Sequence, residues 1–434
     1  MSKIHVKMRE KVGKYREKAK HFAEEHGDTV ISEVTVRQLF GGQRGVKSLL
    51  CDTSIVPPDK GLLIRGIPIL DLVNKLPEEV YWLLLTGELP SEEELRDFQD
   101  DLKSRPRVPD YTWAMLHSLP GVYHPMAAFN TLLLSLERHS KFRQQYTEGM
   151  PKEEHWYAML EDSLDIIALI PELAAGVYRA RYELGNRIPP DRDLDWGANY
   201  ANMLGIDDPD GSFAELIRLY MVLHSDHESG NVSAHTAHCV ASSLADPYYA
   251  VSAGLNGLAG PLHGLANQQV LMWLLGVLEK FGGNPSKKQL EDFVHETLNS
   301  GQVIPGYGHA VLRVVDPRFT AIMNFGKQHC PDGPVFKLAQ TVFEVVPDIL
   351  KGIHKISDPW PNVDSISGSL LYQCGVTQHP FYTVFFAVSR ALGMTSQIVW
   401  SRVWNEPIER PKSVNFETLE KMVKEAEKGN SKKK

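Results

Sequence analysis

Four short stretches of this chain hold more histidine, carboxylate and guanidinium groups than helical packing requires. The first, His224-Ser225-Asp226-His227-Glu228-Ser229-Gly230-Asn231, is followed closely by His235 and His238. Histidines three residues apart share a helix face, so a zinc site has to be weighed against anion binding and plain packing. The HExxH order is missing and no cysteine pair lies nearby, which favours the anion. In the second stretch, Asn256-Gly257-Leu258-Ala259-Gly260-Pro261-Leu262-His263-Gly264, one histidine stands among glycines just ahead of a long apolar run. A helix N-terminus there disfavours the imidazolium and leaves a neutral ring that donates a hydrogen bond; a capped helix with an incidental histidine is the plainer alternative.

The third stretch, Val303-Ile304-Pro305-Gly306-Tyr307-Gly308-His309, bends the backbone tightly enough to turn amides toward a ligand, and Arg313 and Arg318 follow it. Planar guanidinium forks suit carboxylates or phosphates, against a plain loop with solvated arginines. The fourth is Asp358-Pro359-Trp360-Pro361-Asn362-Val363-Asp364-Ser365-Ile366-Ser367-Gly368. Asp364, in apolar company, is a candidate general base with a raised pKa, or the N-cap of the helix that follows; the two roles can coexist.

The elements that must hold these residues read as helices. Ser91-x-x-Glu94, Ser212-x-x-Glu215 and Ser286-x-x-Gln289 each precede apolar residues at helical spacing and predict capping boxes. Strand-like alternation is confined to about Thr29–Val36 and Leu62–Ile69, and no βαβ rhythm appears, which argues against a Rossmann or barrel enzyme. The prediction is an all-α protein of many helices with a small N-terminal β element.

Composition narrows the function classes. The 434 residues carry 46 Lys+Arg against 54 Asp+Glu, a net charge of −8, which disfavours nucleic acid as the main partner. Four cysteines, Cys51, Cys239, Cys330 and Cys374, form no short pair, so neither a disulfide framework nor a zinc knuckle is expected. No apolar run reaches the roughly 18 residues of a membrane span. The basic N-terminus contains Glu10 and Glu17 and one serine, unlike a transit peptide, and reads as a surface helix. A cytoplasmic location of the bacterial kind is expected, with a processed chain in the mitochondrial matrix as the alternative.

Taken in this order, the four stretches resemble the citrate synthase family, of the Si-type found in mitochondria and some bacteria. The likeness extends to Phe40-Gly41-Gly42-Gln43-Arg44-Gly45, to Arg390-Ala391-Leu392-Gly393 and to Glu409-Arg410-Pro411-Lys412, and so runs from about residue 30 to 413. It implies a two-domain homodimer with a large domain of residues 1–264 and 380–434, a small domain of 265–379, and the active site in the cleft between them. The reaction implied is condensation of acetyl-CoA with oxaloacetate, then hydrolysis to citrate and CoA, with no metal and no cofactor beyond the CoA substrate.

The same resemblance assigns roles. Asp364 matches the general base, His263 the donor to the enol oxygen and His309 the acid at the ketone. His227, Arg318 and Arg390 match the oxaloacetate-binding set, with Arg410 supplied by the other subunit. Arg44, Lys152, Arg313 and Lys355 match cations that meet the CoA phosphates, although Lys152 stands where relatives often carry Arg; Val303 and Gly306 belong to the turn that would face the adenine. The nearest rival is 2-methylcitrate synthase, which takes propionyl-CoA. A metal-dependent hydrolase built on residues 224–238 and a non-catalytic helical scaffold are the rivals from other classes. ATP-citrate lyase needs a nucleotide-binding region for which this chain has no room.

Overall fold

The architecture is set by a helix that is buried on every side. Tyr382–Val403 spans 22 residues, all of them buried, and such a helix belongs at the centre of a domain. Around it pack His155–Arg181, Val232–Ser242, Pro247–Leu258, Ser212–Leu223 and Pro77–Thr86. The computed structural model describes residues 2–309, 311–353, 356 and 358–431.

A second group of helices packs on itself: Ala266–Phe281, Lys287–Asn299, Pro317–His329, Pro334–Lys351 and Asp364–Gln373. It meets the first group where Ala266–Phe281 lies on the central helix and where Pro317–His329 lies on Ser212–Leu223 and the short turn Ile69–Leu72. Three of the chemistry-bearing stretches, those around His263, His309 and Asp364, border this second group, while the 224–231 stretch belongs to the first.

The capping boxes at Ser91 and Ser286 form as expected, each serine oxygen receiving the amide three residues on and each Glu94 or Gln289 side chain returning the bond. The one expected at Ser212 does not. Ser212 is already inside its helix, Gly211 takes the cap position, and the amides of Phe213 and Ala214 donate to the Asp208 carboxylate at 2.8 and 2.9 Å. A carboxylate further back in the turn reaches the helix end first.

The small sheet is an antiparallel meander of β1 (Ser54–Ile55), β2 (Leu63–Ile64) and β3 (Ile67–Pro68), with Ser54 opposite Ile64 and Ile64 opposite Ile67. The alternation at Thr29–Val36 makes no strand: among the described residues no backbone ladder forms beside it, and the Lys47 amide reaches it only through Ser32 Oγ at 3.2 Å. Residues 29–35 are irregular, and Thr35 caps a short helix, Val36–Phe40, through a reciprocal bond with Gln38. The basic N-terminus is a helix, Lys3–His26, that buries Ile4, His5, Met8 and Val12 and exposes most of the rest. No described helix is long and apolar enough to cross a membrane.

Candidate active site

His224 ends the Ser212–Leu223 helix and His227 lies in the loop beyond it, so these two do not share a helix face as their spacing suggested; only His235 and His238 do, on Val232–Ser242. The loop is pinned from below. Buried Asp226 accepts from Thr53 Oγ1 at 2.6 Å, Ser54 Oγ at 2.9 Å and Gln397 Nε2 at 2.7 Å. Gly393 lets the loop sit against the central helix: a Cβ there would meet Asp226 Oδ1 and the Ser225 carbonyl at 2.5 Å. That contact explains why the residue three after Arg390 is glycine.

Arg390 is 2 % exposed, and its Nε donates to the His224 carbonyl at 3.1 Å and its Nη1 to Asn231 Oδ1 at 3.3 Å. No carboxylate lies within ion-pair distance of it among the described residues, and burial pulls its pKa down to about 10. A buried guanidinium left without a counter-ion costs several kcal/mol unless an anion arrives. Arg318, 5 % exposed, is held differently: Asp316 grips its Nε at 3.0 and 3.1 Å and its Nη2 at 2.7 Å. Asp316 also accepts the Val363 amide at 3.2 Å, which ties the arginine's orientation to the turn before Asp364.

His263 and His309 are held neutral, and the backbone fixes which nitrogen of each carries the proton. Nδ1 of His309 accepts the amides of Val311 and Leu312 at 3.0 and 2.9 Å, so its proton is on Nε2. Burial, then Arg318, brings this ring to a pKa of about 4. His263 faces Ser233 with Nε2, 3.4 Å from the Ser233 amide and 2.9 Å from Oγ. A backbone N–H can only donate, so Nε2 is the accepting nitrogen and Nδ1–H is the ring's donor. Burial, then Arg390, lowers His263 to about 4. The sequence pointed to a neutral His263 through the helix dipole; burial and the nearby guanidinium produce the same state. His227 is held well below the ordinary histidine value by burial, Arg318 and Arg390, and its ring lies 5.6 Å from that of His309.

Asp364 is the first residue of the Asp364–Gln373 helix, behind Val363, and therefore not its N-cap. Its amide donates to Asn362 Oδ1 at 3.0 Å, while Asn362 Nδ2 donates to the Gly308 carbonyl at 3.1 Å and Asn362 N to the Gly306 carbonyl at 3.0 Å. The Asp364 and His309 stretches are thus one stitched unit. Burial lifts the Asp364 carboxyl to about 6, against the opposing pull of Arg318. The arrangement offers a carboxylate that takes a proton near neutrality, two neutral rings that give one, and two buried arginines for an anion.

Gly306 (φ +81°) is the tightest point of the stitch, since a Cβ would sit 2.7 Å from Ser365 Cα and 2.9 Å from Val270 Cγ2. Gly306→Ala should lower stability by about 1–3 kcal/mol and reduce kcat, because relief must push Ser365, and with it Asp364, out of place. Thermal unfolding and steady-state rates check this; an unshifted melting temperature would contradict the contact.

The structure brings together His227, His263, His309, Arg318, Arg390 and Asp364. It leaves Arg44, Lys152, Arg313 and Arg410 exposed; among the described residues only Arg313 reaches those six, its Nη1 donating to the His309 carbonyl at 3.3 Å. Arg313 folds over its own loop, Nη1 donating to the Leu312 carbonyl at 2.6 Å. Val303 is exposed as well. Lys355 lies outside the described residues. Sequence reasoning missed the supporting set, Asp316, Asn231, Ser233 and Asn362. An Asp-Pro pair at residues 316–317 and an Asn ahead of Val232 are cap signals that could have located two of them.

Residues 42–412 match the family model described as citrate synthase, C-terminal domain. The mitochondrial citrate synthase of Daucus carota is 45% identical over 433 residues, covering 98% of this chain and 91% of that protein. The crystal structure of citrate synthase from Pyrobaculum aerophilum has a TM-score of 0.77 at 27% identity, over 87% of this chain and 92% of that one. The citrate synthase of Thermoplasma acidophilum, solved as a ternary complex with carboxymethyl coenzyme A and oxaloacetate, has the same fold, with a TM-score of 0.73 at 21% identity, over 88% of this chain and 96% of that one.

Proposed function

The chain belongs to the citrate synthase family and is an acyl-transferring enzyme; from that premise we propose that acetyl-CoA, oxaloacetate and water become citrate and CoA in the cluster around Asp364. The observation that carries the reading is Arg390, a buried cation with no carboxylate at ion-pair distance among the described residues, set beside Arg318 where a dianion would bridge them. His227, Arg318 and Arg390 bind oxaloacetate in this scheme. Asp364 takes a proton from the acetyl methyl group while His263 Nδ1–H stabilises the enol oxygen. The enol carbon attacks the oxaloacetate ketone, whose oxygen receives the proton of His309 Nε2. Water then cleaves the thioester and CoA leaves.

Arg44, Lys152, Arg313 and Lys355 meet the CoA phosphates, and the turn containing Val303 and Gly306 meets the adenine; the exposure of Arg44, Lys152 and Arg313 suits them to a solvent-side polyanion. Residues 265–379 act as the mobile lobe, a reading supported by the self-packing of their helices. Oxaloacetate bridging Arg390 of one lobe and Arg318 of the other draws them together and excludes water.

The working unit is a homodimer. Val30 and Ile31 of the irregular N-terminal arm and Phe40 of the helix that follows it are 75, 73 and 71 % exposed, an apolar surface that a second copy would cover. Arg410, exposed near the other end of the chain, then reaches the neighbour's oxaloacetate. A relative named as mitochondrial supports the matrix location, and the cytoplasmic expectation finds no such support. Oxaloacetate-dependent release of CoA from acetyl-CoA is the test.

A further inference from the structure

The histidine pair that the mechanism leaves unused, His235 and His238, holds the segment that carries Arg410. The chain leaves the central helix at Val403, turns at Asn405 (φ +57°) and runs without regular structure through 406–415 beside the helix Val232–Ser242. His238 Nε2 lies 2.7 Å from Glu406 Oε2, and its Nδ1 contacts Glu409 Oε1. His235 Nε2 lies 3.2 Å from the other Glu409 oxygen, and the Glu409 amide donates to Ser242 Oγ at 3.0 Å. Residues 235, 238 and 242 lie on one helix face, so Glu409 is fixed from three points along a rigid element. Arg410 is the next residue, and its guanidinium has no protein partner among the described residues.

Both ring nitrogens of His238 face carboxylates, so both donate. Burial opposes the charged ring, but Glu406 and Glu409 outweigh it and raise its pKa above the ordinary value. The helix is also the one whose first turn serves the active site, since Asn231 caps it while touching Arg390, and Ser233 touches His263. The strap is therefore referenced to the same rigid body as the catalytic groups.

We propose that His238 is a positioning residue for Arg410: by clamping Glu406 and Glu409 onto the helix Val232–Ser242, it sets how far the Arg410 guanidinium reaches into the oxaloacetate site of a second copy of this chain. The inference rests on the reading of Arg410 as an arginine supplied across the dimer. His238 touches no substrate, so its effect has to pass through Arg410.

The test compares Arg410→Ala, His238→Ala, His238→Asn and the double variant His238→Ala/Arg410→Ala for kcat, for KM of each substrate, for dimer mass and for melting temperature. Arg410→Ala should raise KM for oxaloacetate strongly. His238→Ala should raise it about tenfold, with kcat and the acetyl-CoA KM changed less than about twofold. His238→Asn, which keeps a donor for Glu409, should recover most of the loss. In the Arg410→Ala background the His238 change should add nothing, because the two act as one unit. An equal rise in that background, or an effect confined to melting temperature or kcat, overturns the positioning role. If Arg410→Ala raises KM and His238→Ala does not, the clamp alone fails. If Arg410→Ala leaves KM unchanged, the cross-subunit reading fails and the inference falls with it.

Discussion

Asp364→Asn is expected to lower kcat by about 10²–10⁴-fold while oxaloacetate still binds. The amide keeps the shape at the start of the Asp364–Gln373 helix and its backbone bond to Asn362, but it cannot accept the methyl proton. Burial lifts the Asp364 carboxyl to about 6, with Arg318 pulling the other way. A base must be ionised to work, so kcat/KM for acetyl-CoA should be full above that value and fall as pH drops through it. His263 and His309 titrate near 4, so both rings stay neutral throughout that window and the acid limb is a one-proton limb belonging to Asp364. The Asn variant should lose the limb along with the rate. Near-normal turnover, or an unaltered limb in the variant, would assign the base elsewhere.

The second large effect is a rescue. At oxaloacetate well below the raised KM of Arg410→Ala, the Arg410→Ala and Asp364→Asn chains should each be nearly inactive alone. In a mixed dimer one site receives Asp364 from the first chain and Arg410 from the second, and the other site receives neither. Random exchange makes half the dimers mixed, so about a quarter of wild-type activity should return. The exposed position of Arg410 and the exposed apolar arm at Val30, Ile31 and Phe40 are what a shared site requires of a single chain. Continued inactivity under conditions that demonstrably exchange subunits would place the whole site within one chain.

The groups proposed to do the chemistry were legible because they stand in short stretches beside glycine and proline, where a bland helix has no use for them. Asp364, His263 and His309 fall there, and the capping boxes at Ser91 and Ser286 fell where serine and a longer acceptor stood three apart. What could not be read were relations between distant residues. Nothing local marks Asp316 as the clamp of Arg318 and simultaneously an acceptor for Val363, because that bond joins residues 47 positions apart. The proton positions on His309 and His263 depend on amides delivered by the fold. The Thr29–Val36 alternation misled for a similar reason: period two describes side chains, and a strand also needs a backbone partner, which residues 29–35 lack among the described residues. At Ser212 the spacing was right, yet Asp208 and Asp210 offered carboxylates to the same helix end.

Initial rates of CoA release test the central claim most directly, measured with acetyl-CoA and with propionyl-CoA, each with and without oxaloacetate. The account predicts rapid release from acetyl-CoA only when oxaloacetate is present, with citrate formed in equal amount. Propionyl-CoA should be slower by the one-methylene discrimination of about 10–200-fold. Release that ignores oxaloacetate, or that is faster from propionyl-CoA, would contradict it.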